Sequence, residues 1–260
     1  MSKGLRIVMT LALAATIGCQ AGSTFHGWVE MGQWTPSLEA DAGTGSDGTF
    51  DLVSTGGLDD RESLWSYDVG IRFTRASGSQ LGAHAFNIGY FDHEFEGGTD
   101  GVIVTNFGGV PLDGTLVSDA ELSLFKFSYE EPSSGSGGER TGGLIGIHQL
   151  NYNLSVSDGN QVGRIEDSAM MFVIGYKVAY YSQNLMYFLN IEWMDLDTFN
   201  IGEATGEVLD SSGGLRWVFD DSGNMAITLG YRLYDANLQL EDDAVHIVLD
   251  GAYFSFFVAW

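Results

Sequence analysis

The chain ends on YFSFFVAW, residues 253–260. Counting back in steps of two gives Trp260, Val258, Phe256, Phe254 and Ala252, all apolar. The interleaved set, Ala259, Phe257, Ser255, Tyr253 and Gly251, is smaller or more polar toward its start. A period of two belongs to a β-strand with two unlike faces. Most chain ends are frayed and polar. This one carries no charge in a protein of formal net charge −24, so it reads as an end tied into a sheet with a greasy outer surface.

The same alternation recurs along the chain. In WSYDVGIRFTR (65–75), Trp65, Tyr67, Val69, Ile71 and Phe73 oppose Ser66, Asp68, Gly70, Arg72 and Thr74. Residues 169–181 set Met170, Phe172, Ile174, Tyr176, Val178 and Tyr180 against Gly175 and Lys177. Residues 185–193 set Leu185, Tyr187, Leu189, Ile191 and Trp193 against Asn190 and Glu192. Leu215, Trp217 and Phe219 oppose Arg216, and Met225, Ile227, Leu229, Tyr231 and Leu233 oppose Thr228, Gly230 and Arg232. Residues 25–34 are less clean, with Glu30 opposite Val29 and Met31, and 85–91 set Phe86, Ile88 and Tyr90 against Asn87 and Gly89. LSLFKFSY (122–129) and GLIGIHQLNYNL (143–154) are ambiguous in face, as a bulge or a glycine kink would make them. With the last strand the count is ten.

The connections alternate in length. Short ones fall at 76–79, 182–184 and 220–224, with a longer Gly/Ser-rich loop at 131–142. Long ones fall at 35–62, 92–119, 155–167, 194–207 and 235–244. Short turns at one end and long loops at the other describe an up-and-down meander. They also describe the polarity of an outer-membrane barrel, with both termini on the periplasmic side. No unit of 20–50 residues repeats, which argues against a solenoid or propeller.

The two faces decide between a membrane barrel and a soluble one. The apolar rows run for five or six alternate positions, matching the 9–11 residues of a tilted bilayer-crossing strand. The opposite face is mostly Gly, Ser, Thr, Ala and Asn with about one charge per strand, whereas the water-facing side of a sandwich or lipocalin-like barrel carries several. A closed barrel also pairs every backbone group within lipid. Trp34, Trp65, Tyr181, Trp193, Trp217 and Trp260 near strand ends suit two interfacial girdles. The fold class expected is therefore all-β: a closed antiparallel up-and-down transmembrane β-barrel of about ten strands (8–12). Glu30, Asp68, Glu121 and Glu192 would face the lumen opposite Arg72, Lys177, Arg216 and Arg232, letting each enclosed charge find a partner. Two readings of that set stand side by side: an ion-pair plug in a structural or surface barrel, and the constriction of a narrow porin-like channel for small solutes.

Composition excludes other classes. Eleven basic residues against 35 acidic ones argue against nucleic acid, and 44% hydrophobic residues argue against an acidic disordered chain. Residues 1–21 have the order of a secretory signal peptide: Lys3 and Arg6, an apolar stretch Ile7–Gly18, and a small-residue cleavage site after Ala21. A buried N-terminal helix is the other reading of that segment, and the single cysteine, Cys19, offers a poor lipoprotein box. Residues 22–260 then form the barrel. The long connections hold most of the acids, among them Glu39, Asp41, Asp47 and Asp51, then Asp92, Glu94, Glu96 and Asp119, then Asp242 and Asp243. Hydration of exposed loops explains such a rim, and divalent cations are the ligand it would suit. No calcium-loop motif is present and no cofactor is implied.

Phe254, Phe256, Val258 and Trp260 occupy the places of the C-terminal signature that bacterial outer-membrane barrels present to the barrel-insertion machinery. The order SYDVGIRFTR, NIGYFDHEF, GGVPLDGTLVSD, LSLFKFSY between 63 and 154 resembles small outer-membrane barrels of Gram-negative bacteria, OmpW-like or opacity-protein-like. That resemblance covers about a third of the chain and implies outer-membrane lipid as its surroundings. It carries no functional residue over. Ten strands with rim acids are also similar to the omptin-type outer-membrane proteases, for which Asp242, Asp243 and His246, or Asp92 and His93, would be the pairs able to activate water. His26, His84 and His148 stand in no motif with a serine, and the expectation is that the protein is not an enzyme.

Overall fold

The computed structural model describes residues 23–44, 48–75, 84–131, 138–196, 204–220, 224–240 and 243–260. The leader, Cys19, Asp47 and Asp242 lie outside the described residues. The strands are β1 (Ser23–Thr44), β2 (Phe50–Asp51), β3 (Leu64–Arg75), β4 (His84–Phe107), β5 (Val110–Glu130), β6 (Glu139–Ser157), β7 (Val162–Ser182), β8 (Leu185–Asp195), β9 (Ala204–Val218), β10 (Met225–Leu240) and β11 (Asp243–Ala259). Apart from the two-residue β2, which hangs on β1, each strand pairs antiparallel with its chain neighbours, and β11 pairs back onto β1. Ten long strands therefore close into an up-and-down barrel. Register partners can be followed once around the wall from His26 through Arg72, Ala85, Glu130, Leu144, Gly175, Glu192, Asp210, Tyr234 and Leu249 to Leu38. The path returns to β1 twelve residues above its start, and this stagger is what a tilted, closed sheet requires.

The seam answers the question the C-terminus raises. Trp260 exchanges both backbone hydrogen bonds with Gly27, at 3.1 and 3.0 Å. Its indole lies over Gly27, where a Cβ would stand 2.7 Å from the ring. Phe254, Phe256 and Trp260 are exposed on the outer face, and Val258 shares their parity.

The strands are longer than a membrane needs. β4 has 24 residues and β1 has 22, about twice a bilayer crossing. The surplus is a second storey with opposite polarity. On β5 the inward positions run Leu116, Ser118, Ala120, Leu122, Leu124 and then Lys126, Ser128, Glu130. The outward ones run Val117, Asp119, Glu121, Ser123 and then Phe125, Phe127, Tyr129. The oily set thus changes sides near residue 124 without a break in register with β6. The lower half, which carries Ser23 and Trp260, shows lipid its apolar face. The upper half turns acids and amides to water and fills its interior with buried Leu38, Phe95, Leu154, Val208, Leu238 and Ile247.

Three sequence expectations change accordingly. The supposed bulges in 122–129 and 143–154 are not there; one polarity change explains both ambiguities, and the irregularity of β5 pairing lies higher, between Gly98 and Val102 of β4. The long connections are largely strand, so their acids sit on the outer face of a wall: Glu39, Asp41, Glu94, Glu96 and Asp119 all face outward there. Trp34 belongs to no girdle, since it points inward and is 1% exposed. Tyr181 also leaves the girdle, since it lines the lumen cavity with Lys177; Trp65 and Trp193 at the upper boundary and Trp217 and Trp260 at the lower remain as outward aromatics, joined by Tyr180.

The top is covered. Where β3 stops, residues 58–61 take its place in the wall: Leu38 N–H donates to Asp60 O at 2.8 Å and Asp59 N–H to Glu96 O at 3.2 Å. Leu58 of this segment is buried, as are Phe50 and Leu52 before it. The β4–β5 hairpin turns on Gly108 and Gly109, at φ 59° and 73°, values that suit glycine. It packs against Gly163 and Arg164 of β7 and places Phe107 edge-on to Phe50, ring centroids 5.3 Å apart.

Candidate functional site

Below the apolar storey lies a cavity of about 500 Å³ reaching the lower end of the barrel. Seven of the eight luminal charges expected from the sequence line it: Glu30, Asp68, Arg72, Lys177, Glu192, Arg216 and Arg232. Each comes from a strand position whose neighbours on either side face lipid. Glu121, expected among them, faces outward above the membrane level, because the polarity change on β5 puts acids outside there.

Three groups of ion pairs organise the lumen. Arg216 donates to both oxygens of Glu30, at 2.7 and 2.6 Å, and to Thr228 at 3.0 Å, and Ser255 also donates to Glu30. Its guanidinium lies 4.8 Å from the centroid of Phe257. Lys177 pairs with Glu130, which also accepts from Asn87. The third group spans the barrel: Lys126 Nζ on β5 lies 2.8 Å from Glu192 on β8 and 2.8 Å from Asp210 on β9. Asp210 also accepts two bonds from Arg232, at 3.0 and 2.7 Å, and Glu192 accepts one from the buried His148 Nε2 at 2.8 Å. His148, Glu192 and Asp210 come close enough to hold one ion. The Lys126 ammonium bonds both carboxylates and supplies the positive charge there.

Arg232 marks the ceiling. Its guanidinium lies 5.0 Å from the Trp34 ring centroid and 5.9 Å from that of Phe91. Phe91 in turn meets Trp34 at 5.9 Å and Tyr234 at 6.5 Å, both edge-on. These rings, with Leu64, Leu124, Leu150 and Leu249, are at most 1% exposed. Charges below and packed rings above leave the cavity a cup that opens toward the lower end.

Lys126, Glu130, His148 and Asp210 are the members the sequence reading missed. Lys126 and His148 sit in the two stretches of ambiguous face, and Asp210 lies just below the upper storey of β9, outside the apolar run LRWVF. Strict parity was the available signal, since Lys126 is four residues from Leu122 and shares its face.

The rim pairs are separate. His93 bonds Glu62 at 2.9 Å, and Asp92, on the opposite face of β4, accepts from Tyr90 at 2.9 Å. His246 bonds Asp235 at 3.1 Å on the outer wall. Outside the membrane level, burial and the neighbouring Glu94, Glu121 and Glu96 push the Asp119 carboxyl up to about 6.

No family model matches the sequence, and no curated protein matches it. Solved structures do. The outer membrane protease OmpT of Escherichia coli superposes with a TM-score of 0.53 at 9% identity, over 91% of this chain and 98% of that one. The fold is that of a bacterial outer-membrane β-barrel. Weaker likenesses are to the transport unit of the autotransporter AIDA-I of Escherichia coli (TM-score 0.41, 10% identity, 96% and 94% covered) and to the attachment invasion locus protein Ail of Yersinia pestis (0.32, 12%, 89% and 99%). At 9% identity the likeness to the protease shows the barrel architecture alone. The finer likeness to OmpW-like or opacity-type barrels rests on sequence order alone.

Proposed function

We propose that the protein is a closed surface barrel. Its lower half anchors it in outer-membrane lipid, and its upper half stands above the membrane as a rigid, acidic head that passes no solute. One observation carries this reading: the buried layer of Trp34, Phe91, Tyr234, Leu124 and Leu150 across the lumen, with Phe107 and Phe50 packed above it. Each such side chain contributes roughly 1.5–3 kcal/mol by leaving water, so a hydrated path would have to displace several of them at once. The enclosed ion pairs serve as struts between distant strands. Export by residues 1–21 and recognition of Phe254, Phe256, Val258 and Trp260 by the insertion machinery would bring the chain to its place.

Conductance across planar lipid bilayers tests the proposal. Purified barrel should leave the bilayer silent. A steady open-state current, altered by Arg216→Ala or Arg232→Ala, would replace it with the narrow-channel reading.

A further inference from the structure

Among the described residues lining the lumen, the ion pairs leave out the carboxylates of Asp68 and Glu131 and the guanidiniums of Arg72 and Arg140, and Glu131 and Arg140 are exposed at the mouth. Glu30, Glu130, Glu192 and Asp210 are all matched to Arg216, Lys177, Lys126 and Arg232. Among the described residues, no hydrogen bond or ion pair reaches the carboxylate of Asp68 or the guanidinium of Arg72. Both line the cavity. They share one face of β3 and are four residues apart, roughly 13 Å of strand rise.

The surface between them is aromatic. Trp28 on β1 is the register partner of Gly70, midway between the two charges. A Cβ at Gly70 would collide with the Trp28 ring, so the missing side chain is what lets the indole lie flat against β3. The Arg72 guanidinium stands 5.7 Å from that ring's centroid, on the side nearer the mouth. Asp68 sits deeper, level with Glu30 in register.

A charge held away from bulk water without a partner is unfavourable. Asp68 is the enclosed one, meeting the charges of Arg232, Lys126 and Lys177 only from beyond ion-pair distance, and the exposed Arg72 faces it along a flat aromatic surface inside a cavity of a size that takes small ligands. A lone cation would answer Asp68 and leave Arg72, and a lone anion the reverse. We propose that the cup binds a small zwitterionic solute from the lower end of the barrel, its cationic group on Asp68 and its anionic group on Arg72. This goes beyond the surface role and depends only on the luminal geometry.

Calorimetric titration of the full-length mature barrel in a non-ionic maltoside detergent tests it. The probes are glycine, glycylglycine and triglycine, whose charge separation grows along the series, with methylammonium and acetate as singly charged controls. At least one zwitterion should bind saturably, at least ten-fold more tightly than either control. Asp68→Asn and Arg72→Gln should each weaken that binding ten-fold or more, while Arg72→Lys keeps it within a few-fold. Heat-dependent gel mobility reports whether each variant is folded; should Asp68→Asn fail to fold, the exposed Arg72→Gln decides alone. The proposal is overturned if no peptide of the series binds, if a control binds as well, or if the folded variants bind unchanged.

Discussion

Lys126 Nζ and Asp210 Oδ2 are 2.8 Å apart although they belong to β5 and β9, on distant sides of the barrel. A single ammonium, shared with Glu192, therefore ties together strands that no backbone hydrogen bond connects. Removing one partner of an enclosed ionic group destabilises by about 3–5 kcal/mol, because the others keep their desolvation penalty. Lys126→Met should lower the unfolding free energy in lipid vesicles by that amount. Adding Glu192→Gln should recover part of it by removing one orphaned charge. Urea titration followed by gel mobility checks both.

The lipid face should be depth-sensitive and the head should not. Leu229 is the central outward residue of the lower half of β10, 60% exposed, and Asn237 is outward on the same strand in the head. An arginine at a bilayer midplane costs about 2–4 kcal/mol and close to nothing outside it. Leu229→Arg should show that loss, and Asn237→Arg should leave stability within about 0.5 kcal/mol, as for surface substitutions generally.

Asp119 supplies a pH dependence outside the membrane. Burial, with Glu94, Glu121 and Glu96 around it, raises its carboxyl from 3.8 to about 6 in the folded state. The folded protein then holds this proton more tightly than the unfolded one. The associated stability is complete below the ordinary carboxylate value near 3.8 and is lost as pH rises through about 6. Unfolding midpoints measured between pH 4 and pH 8 should fall across that window, and Asp119→Asn should flatten the curve.

The protein is expected to have no peptidase activity. His246 is engaged by Asp235 on the outer wall. Intact cells carrying the wild type, Asp243→Ala or His246→Ala should cleave fluorogenic peptides at one common background rate. A rate that drops in either variant would assign the rim a catalytic role.

The lower storey was legible in the sequence because lipid and lumen impose opposite demands on alternate residues, as WSYDVGIRFTR shows. The upper storey was not. Water outside and a packed interior invert the demand, so Leu122 and Leu124 belong to the same face as Lys126, and a search for one continuous oily face stops at the change. Acids such as Glu94 and Asp119 then look like loop residues although they alternate with buried Phe95 and Ala120. The pairing of Lys126 with Asp210 had no local signal at all, since it depends on a barrel stagger that only closure defines.

Single-cysteine scanning along β5, with a membrane-impermeant thiol reagent and barrel in lipid vesicles, tests the polarity change most directly; Cys19, the one native cysteine, is replaced. The account predicts labelling at 117, 119, 121 and 123, and none at 125, 127 and 129, which face lipid, or at 120, 122 and 124, which face the sealed interior. Labelling at 122 and 124 as fast as at 121 and 123 would mean water fills the lumen at that level, and would contradict the closed barrel.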